Sequence, residues 1–324
     1  MSARTEPLAG LLGEELGATI ENLTRLSAGA SRETWAFDAV SASGRDALIL
    51  QRSRFALSAD VDEPAVLRHA HAGGVTVPEV IASSTTGDHP IGAQFTVARH
   101  LDGESIARKI LRDDDYAPAR ARFVEDCARE LVAIHALDPD PIRDALPEPT
   151  DPVAAQLATY ETLDDPHPVF DLAFRWLDEF RPAPRPARVV HGDFRMGNLL
   201  IGPDRMVAVL DWELCHLGDP VEDLGWLVAR AWRFGGSGEV GGLGTRDQLL
   251  SAYEEAGGIP VAPAELRWWE VLASLRWGVI TMFMGGEHRA GNIRSVEQAA
   301  IGRRVVETEY DVMLLLRPEL VAAR

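Results

Sequence analysis

The stretch 188–212, RVVHGDFRMGNLLIGPDRMVAVLDW, constrains the chain more than any other. A β-branched pair at 189–190 leads into a polar loop, and an apolar triplet at 199–201 leads out of it. Gly202-Pro203-Asp204 then turns the chain into a second apolar run, which ends on Asp211. The pattern predicts a strand, a loop and a hairpin. The hairpin folds Asp211 back towards the loop that carries Asp193 and Asn198, so two carboxyls and an amide converge.

The spacing His191-x-Asp193-x4-Asn198 matches the catalytic loop of protein-kinase-like enzymes. Phosphoryl transfer needs a proton acceptor in line with the attacking hydroxyl and hard oxygen ligands for Mg2+. The wording HGDFRMGNLL, with Gly192 after the histidine and LDWE at 210–213, resembles the aminoglycoside phosphotransferase and choline kinase-like superfamily over nearly the whole chain. That resemblance implies a bilobal α+β fold, a small antiparallel-sheet N-lobe (1–102) and a larger, mostly helical C-lobe (103–324), with ATP and Mg2+ between them. It implies that Asp193 receives the hydroxyl proton and that Asn198 and Asp211 hold the metal. Arg195, inside the loop, is a further candidate for the charge on the transferred group. A rival grouping, His191, Asp193, Asp211 and His216, suits a hydrolytic metal site, but the kinase spacing accounts for Asn198 as well.

In the N-terminal third, 27–31 reads as a small-residue loop between two strands. Gly29 lets backbone amides approach phosphate, and Ser27 and Ser31 add hydroxyls, although an ordinary hairpin would look the same. The run 47–52, ALILQR, matches the strand that in the resembling enzymes carries a phosphate-binding lysine. The single lysine of this chain is Lys109, so Arg52 is the expected substitute, unless strand alternation aims Gln51 at the phosphate instead. The stretch 58–74 reads as a helix, on which Glu63 either orients that cation or lies on a solvated face. Val97 and Ala98 open the expected hinge, where adenine would meet main-chain groups.

Beyond the hinge, helices are expected at 116–137, 152–163, 167–181, 266–284 and 292–316, with Asp219 and Pro220 opening another. With 324 residues, 46% of them hydrophobic, the chain can bury two lobes. It has no apolar run long enough to span a bilayer. Glu6, Glu14 and Glu15 without an apolar leader point to the cytoplasm, as do the unpaired Cys127 and Cys215. The net charge of −18 argues against nucleic acid and anionic membranes as partners.

The expected partner is a small-molecule hydroxyl acceptor. The stretches GASRETW, DGESIARKIL and 297–304 resemble kinase domains fused to acyl-CoA dehydrogenases, which implies hydroxyacyl-CoA esters or hydroxy acids as acceptors. Residues 191–324 hold 13 arginines against 19 carboxyls, only −6 of the total −18. Arg230, Arg233, Arg276, Arg289 and Arg294 in that part suit an anionic group better than a polycationic antibiotic does. The alternatives are an aminoglycoside or choline-like aminoalcohol kinase and, given the missing lysine, a catalytically inactive nucleotide-binding regulator.

Overall fold

The computed structural model describes residues 6–28, 32–53, 61–92, 94–293 and 295–317. Gly29 and Ser31 lie outside them. The chain opens with α1 (Glu6–Leu16), a helix not expected from the sequence, followed by β1 (Thr19–Ala28), β2 (Arg32–Ser41) and β3 (Gly44–Ser53). After α2 (Glu63–Ala72) come β4 (Val80–Ser84) and β5 (Gln94–Arg99), and the five strands form one antiparallel sheet in the order β1-β2-β3-β5-β4. The expected extended run at 75–81 pairs only from Val80 onward.

Alternation along the strands gives the sheet two distinct faces. Trp35, Phe37, Leu48, Leu50, Phe95 and Val97 are buried on one face under Leu8 and Leu12 of α1 and form a core of their own. The other face presents the cross-strand row Thr34, Gln51 and Thr96, and beside it Ile49 and Ala98. Asp62 caps α2 by accepting the Ala65 N–H at 3.1 Å, but the buried side chains of α2, Val66, Leu67 and Ala70, join the larger core of the helical part.

That part begins with α3 (Ala107–Arg112), α4 (Ala117–His135), α5 (Pro152–Glu161) and α6 (Pro168–Glu179). The predicted hairpin follows as β6 (Arg188–Val190), β7 (Leu199–Ile201) and β8 (Met206–Val209). β7 pairs with β8, while β6 pairs with a strand not expected, β9 (His216–Gly218). The chain ends with α7 (Val221–Val228), α8 (Arg246–Glu255), α9 (Pro263–Ala290), α10 (Val296–Gly302) and α11 (Val305–Leu316).

Helix α9 is apolar on most faces because α5, α6, α7, α10 and α11 all pack on it. A Cβ on Gly225 of α7 would lie 2.5 Å from that of Trp269, so α7 can approach α9 this closely only through glycine. The single final helix expected over 292–316 is two helices, α10 and α11. Gly302, at their junction, crosses Gly285 of α9 so closely that a Cβ would meet its Cα at 2.5 Å. Among the described residues no helix is long and apolar enough to cross a membrane.

Candidate active site

The loop 191–198 is held from beneath by Asp223 of α7. Its carboxylate is fully buried and accepts the backbone N–H groups of His191 and Gly192, each at 2.9 Å. Nε2 of His135, on α4, lies 3.2 Å from the same carboxylate. Burial pushes the Asp223 carboxyl up, but the hydrogen bond and charge of His135 and the N–H of His191 outweigh it and hold it below its ordinary value. Gly192 has φ +79°, and a Cβ there would lie 2.3 Å from the Leu214 carbonyl, so the turn requires glycine.

His191 ties the loop to the end of the hairpin. Its Nδ1 accepts the Asp193 N–H at 3.2 Å, which leaves Nε2 to donate to the Leu210 carbonyl at 3.1 Å. Burial depresses its pKa below the ordinary value, against the opposing charges of Asp223 and Asp193. Leu210 N–H in turn donates to the Asn198 carbonyl at 2.8 Å, so Asn198 and Asp211 are brought together as the sequence predicts.

Asp193 is fixed by three donors. Oδ1 accepts the Trp226 indole N–H at 2.7 Å and Arg195 Nε at 2.9 Å; Oδ2 accepts Asn198 Nδ2 at 2.6 Å. The Arg195 guanidinium also lies 4.6 Å over the Trp232 ring. With its amide nitrogen engaged on Asp193, Asn198 keeps Oδ1 for a cation. Asp211, at φ +66° just after β8, lines the same cleft. An amide oxygen and a carboxylate are hard donors of the kind Mg2+ takes, so these two residues would hold it.

The rival four-residue metal site does not form. Both His191 nitrogens are engaged, and His216 bonds Leu214 and Glu222. Among the described residues no three His, Cys, Asp or Glu side chains gather to hold a metal.

The cleft between sheet and helical part has a volume of about 630 Å³. The sheet contributes Thr34, Ile49, Gln51, Thr96 and Ala98, and the catalytic side contributes Asn198, Leu200 and Asp211. One expectation needs correction here. Arg52 is not on this face: register sets it opposite Glu33, which it meets at 2.9 Å, and its Nη1 donates to the Ile91 carbonyl at 2.7 Å. Val97 is fully buried in the sheet core, and its neighbours Thr96 and Ala98 face the cleft. Ser27, one residue before the end of β1, pairs opposite Thr34.

Glu63 lines the cleft without pairing with Arg52. Its carboxylate accepts the Trp212 N–H at 3.1 Å and so joins α2 to the residue after Asp211. Lys109 is ion-paired with Glu104 at 2.9 Å.

A second cavity, of about 450 Å³, shares Glu213 with the cleft and is lined by His216, Glu222, Trp226, Trp269 and Arg276. Burial alone would lower the pKa of His216, but Glu222 beside it raises it to about 9. Of the other arginines expected to serve an acceptor, Arg230 pairs with Asp311, Arg233 with Glu270 and Arg289 with Asp165, while Arg294 lies outside the described residues. Trp226 and Asp223 are site residues not expected from the sequence. Their spacing of three on one helix, which puts both on the face towards the loop, is the signal that could have found them.

A sequence model described as the phosphotransferase enzyme family matches residues 22–269. The chain belongs to that family. Solved structures agree on the fold: a putative aminoglycoside phosphotransferase from Ralstonia eutropha JMP134 superposes with a TM-score of 0.72 at 19% identity, covering 97% of this chain and 98% of that one. The aminoglycoside phosphotransferase APH(4)-Ia, in a ternary complex with AMP-PNP and hygromycin B, gives 0.63 at 18% identity, covering 96% and 97%. This phosphotransferase also resembles acyl-CoA dehydrogenase family member 11 of Mus musculus, 30% identical over 42% of this chain and 19% of that protein. Member 10 of the same organism is 41% identical over 18% of this chain and 6% of that protein. The phosphotransferase thus spans under a fifth of the length of these curated relatives.

Proposed function

We propose that the protein is an ATP- and Mg2+-dependent small-molecule kinase whose nucleotide lies between an N-lobe, 1–102, and a C-lobe, 103–324, and whose acceptor lies in the 450 Å³ cavity. The observation that carries this reading is that Asp193 bonds one residue of each cavity. One of its oxygens is bound to Asn198, which lines the cleft, and the other to Trp226, which lines the cavity. A hydroxyl presented from the cavity side meets the carboxylate that takes its proton, while the phosphate to be transferred approaches from the cleft. Asn198 and Asp211 would hold Mg2+, which neutralises phosphate oxygens when bound. Arg195, fixed between Asp193 and Trp232, sets positive charge beside the reacting group.

The acceptor in this reading is a hydroxylated compound with an acyl or carboxylate group, a hydroxy acid or hydroxyacyl-CoA. The likeness to the two acyl-CoA dehydrogenase family members supports it. The test is phosphate transfer from ATP to a 4-hydroxy acid, its CoA ester, choline and kanamycin under one set of conditions. Transfer to kanamycin alone would make the protein an aminoglycoside kinase. Gln51 on the cleft, where the resembling enzymes place lysine, favours a second reading, a nucleotide-binding regulator; ATP binding without turnover on any acceptor would establish that one.

A further inference from the structure

We infer that Arg276 reads a carboxylate on the acceptor, held across Trp226 from Asp193, so that the compound phosphorylated is a free hydroxy acid. This rests on the reading that Asp193 serves a hydroxyl acceptor in the 450 Å³ cavity.

Trp226 is the shared wall. Its indole N–H bonds Asp193 at 2.7 Å, and the guanidinium carbon of Arg276 lies 4.8 Å from its ring centroid. A ligand anion bound by Arg276 therefore sits one indole away from the base. Arg276 is largely buried and gives one N–H to Glu222 at 3.1 Å; its remaining donors meet no acceptor among the described residues. Glu222 is also claimed by His216, whose Nε2 lies 3.2 Å from its other oxygen.

The protonation of His216 follows from its partners. Nε2 faces a carboxylate and Nδ1 faces the Leu214 carbonyl at 2.8 Å, and both of these only accept, so both ring nitrogens donate and the ring is an imidazolium. One carboxylate thus stands between two cations, and the trio carries a net positive charge. Trp269, 5% exposed on the same cavity, has an indole N–H without a partner among the described residues. Donors exceed acceptors at the floor.

Glu148 and Glu213 also line the cavity, but both are exposed, where water screens them. Arg276 and Glu222 have side chains only 16% and 12% exposed, so the charge of the floor weighs more with a ligand. A carboxylate accepts from a guanidinium in two parallel bonds. A thioester, an amide or an alcohol brings no charge, and an ammonium group is repelled by the floor.

The test is calorimetric binding of 4-hydroxypentanoate, its amide and the matching amino alcohol to the full chain, with transfer from Mg·ATP measured in parallel. The acid is expected to bind about tenfold or more tightly than the amide, the scale of one charge-assisted pair. Arg276→Gln abolishes that preference and leaves Mg·ATP affinity unchanged. Glu222→Gln releases both cations and strengthens acid binding, an opposite sign that a merely structural role for Arg276 does not produce. Should Arg276→Gln not fold, Glu222→Gln and Arg276→Lys decide the matter, the lysine keeping the preference.

Equal binding of acid and amide, tighter binding of the amino alcohol, or weaker acid binding in Glu222→Gln would overturn the inference. Acid preference in binding with no phosphate transfer would leave the anion site standing and bring down the kinase reading. Transfer to neutral alcohols and acids alike would do the reverse.

Discussion

At the scale of single residues, the site depends on how Asp193 is held. Three donors on one carboxylate fix its orientation, Trp226 from α7 and Arg195 and Asn198 from its own loop. Asp193→Asn keeps the shape but removes the base, so turnover should fall by about 10² to 10⁴ with ATP binding retained; wild-type turnover in that variant would remove Asp193 from the role. Trp226→Phe preserves a ring for Arg276 and Trp232 to pack on while deleting the N–H. A hydrogen bond to a charged group is worth about 1.5–3 kcal/mol, so kcat should drop about tenfold while the KM for ATP stays put. An equal change in both constants would mark Trp226 as structural only. Asp211→Ala should abolish the Mg2+ dependence of ATP binding, read from titrations with and without the ion.

At the scale of elements, β3 shows what a strand period decides. Gln51 and Arg52 are neighbours in sequence and face opposite sides of the sheet, so only one of them can meet the nucleotide. Arg52 instead closes a largely buried pair with Glu33 and lies 5.9 Å over Trp35. Arg52→Ala removes one of the partners of Glu33 while Arg25 stays at 2.8 Å, and should lower the unfolding free energy by about 1.5 kcal/mol, at an unchanged KM for ATP. Gln51→Ala should instead raise that KM. Denaturation midpoints and steady-state kinetics on the two variants check the pair, and a KM effect confined to Arg52→Ala would return the arginine to the phosphate. Glu63 shows the same economy between elements: from the first turn of α2 it holds the backbone of Trp212, and so couples α2 to the turn that carries Asp211.

At the scale of the whole molecule, the buried charges under the loop tie stability to pH. His216 has an ordinary value of 6.5 and a folded value of about 9, so its contribution is complete below pH 6.5 and is lost as pH rises towards 9. Asp223 is held below its ordinary value of 3.8, so its contribution is present above that pH and is lost as pH falls through the depressed folded value. Urea midpoints should therefore decline on the alkaline side between about pH 6.5 and 9, and His216→Gln should flatten that limb. A limb that persists unchanged in the variant would show that another group titrates.

What the sequence determined by itself was local. The hairpin, its polar loop and the convergence of Asp193, Asn198 and Asp211 were legible because turn residues and alternating apolar runs act over a few residues, and because β8 has only one way to return. The helices that became α2 and α9 were legible for the same reason. What only the tertiary structure decided were the pairings between distant segments. Whether Arg52 or Gln51 meets the cleft depends on the side that α1 covers, and a strand pattern read alone is symmetric between its two faces. That α7 supplies both the carboxylate under the loop and the indole on Asp193 depends on how closely Gly225 lets it approach Trp269, a distance that no spacing along the chain encodes.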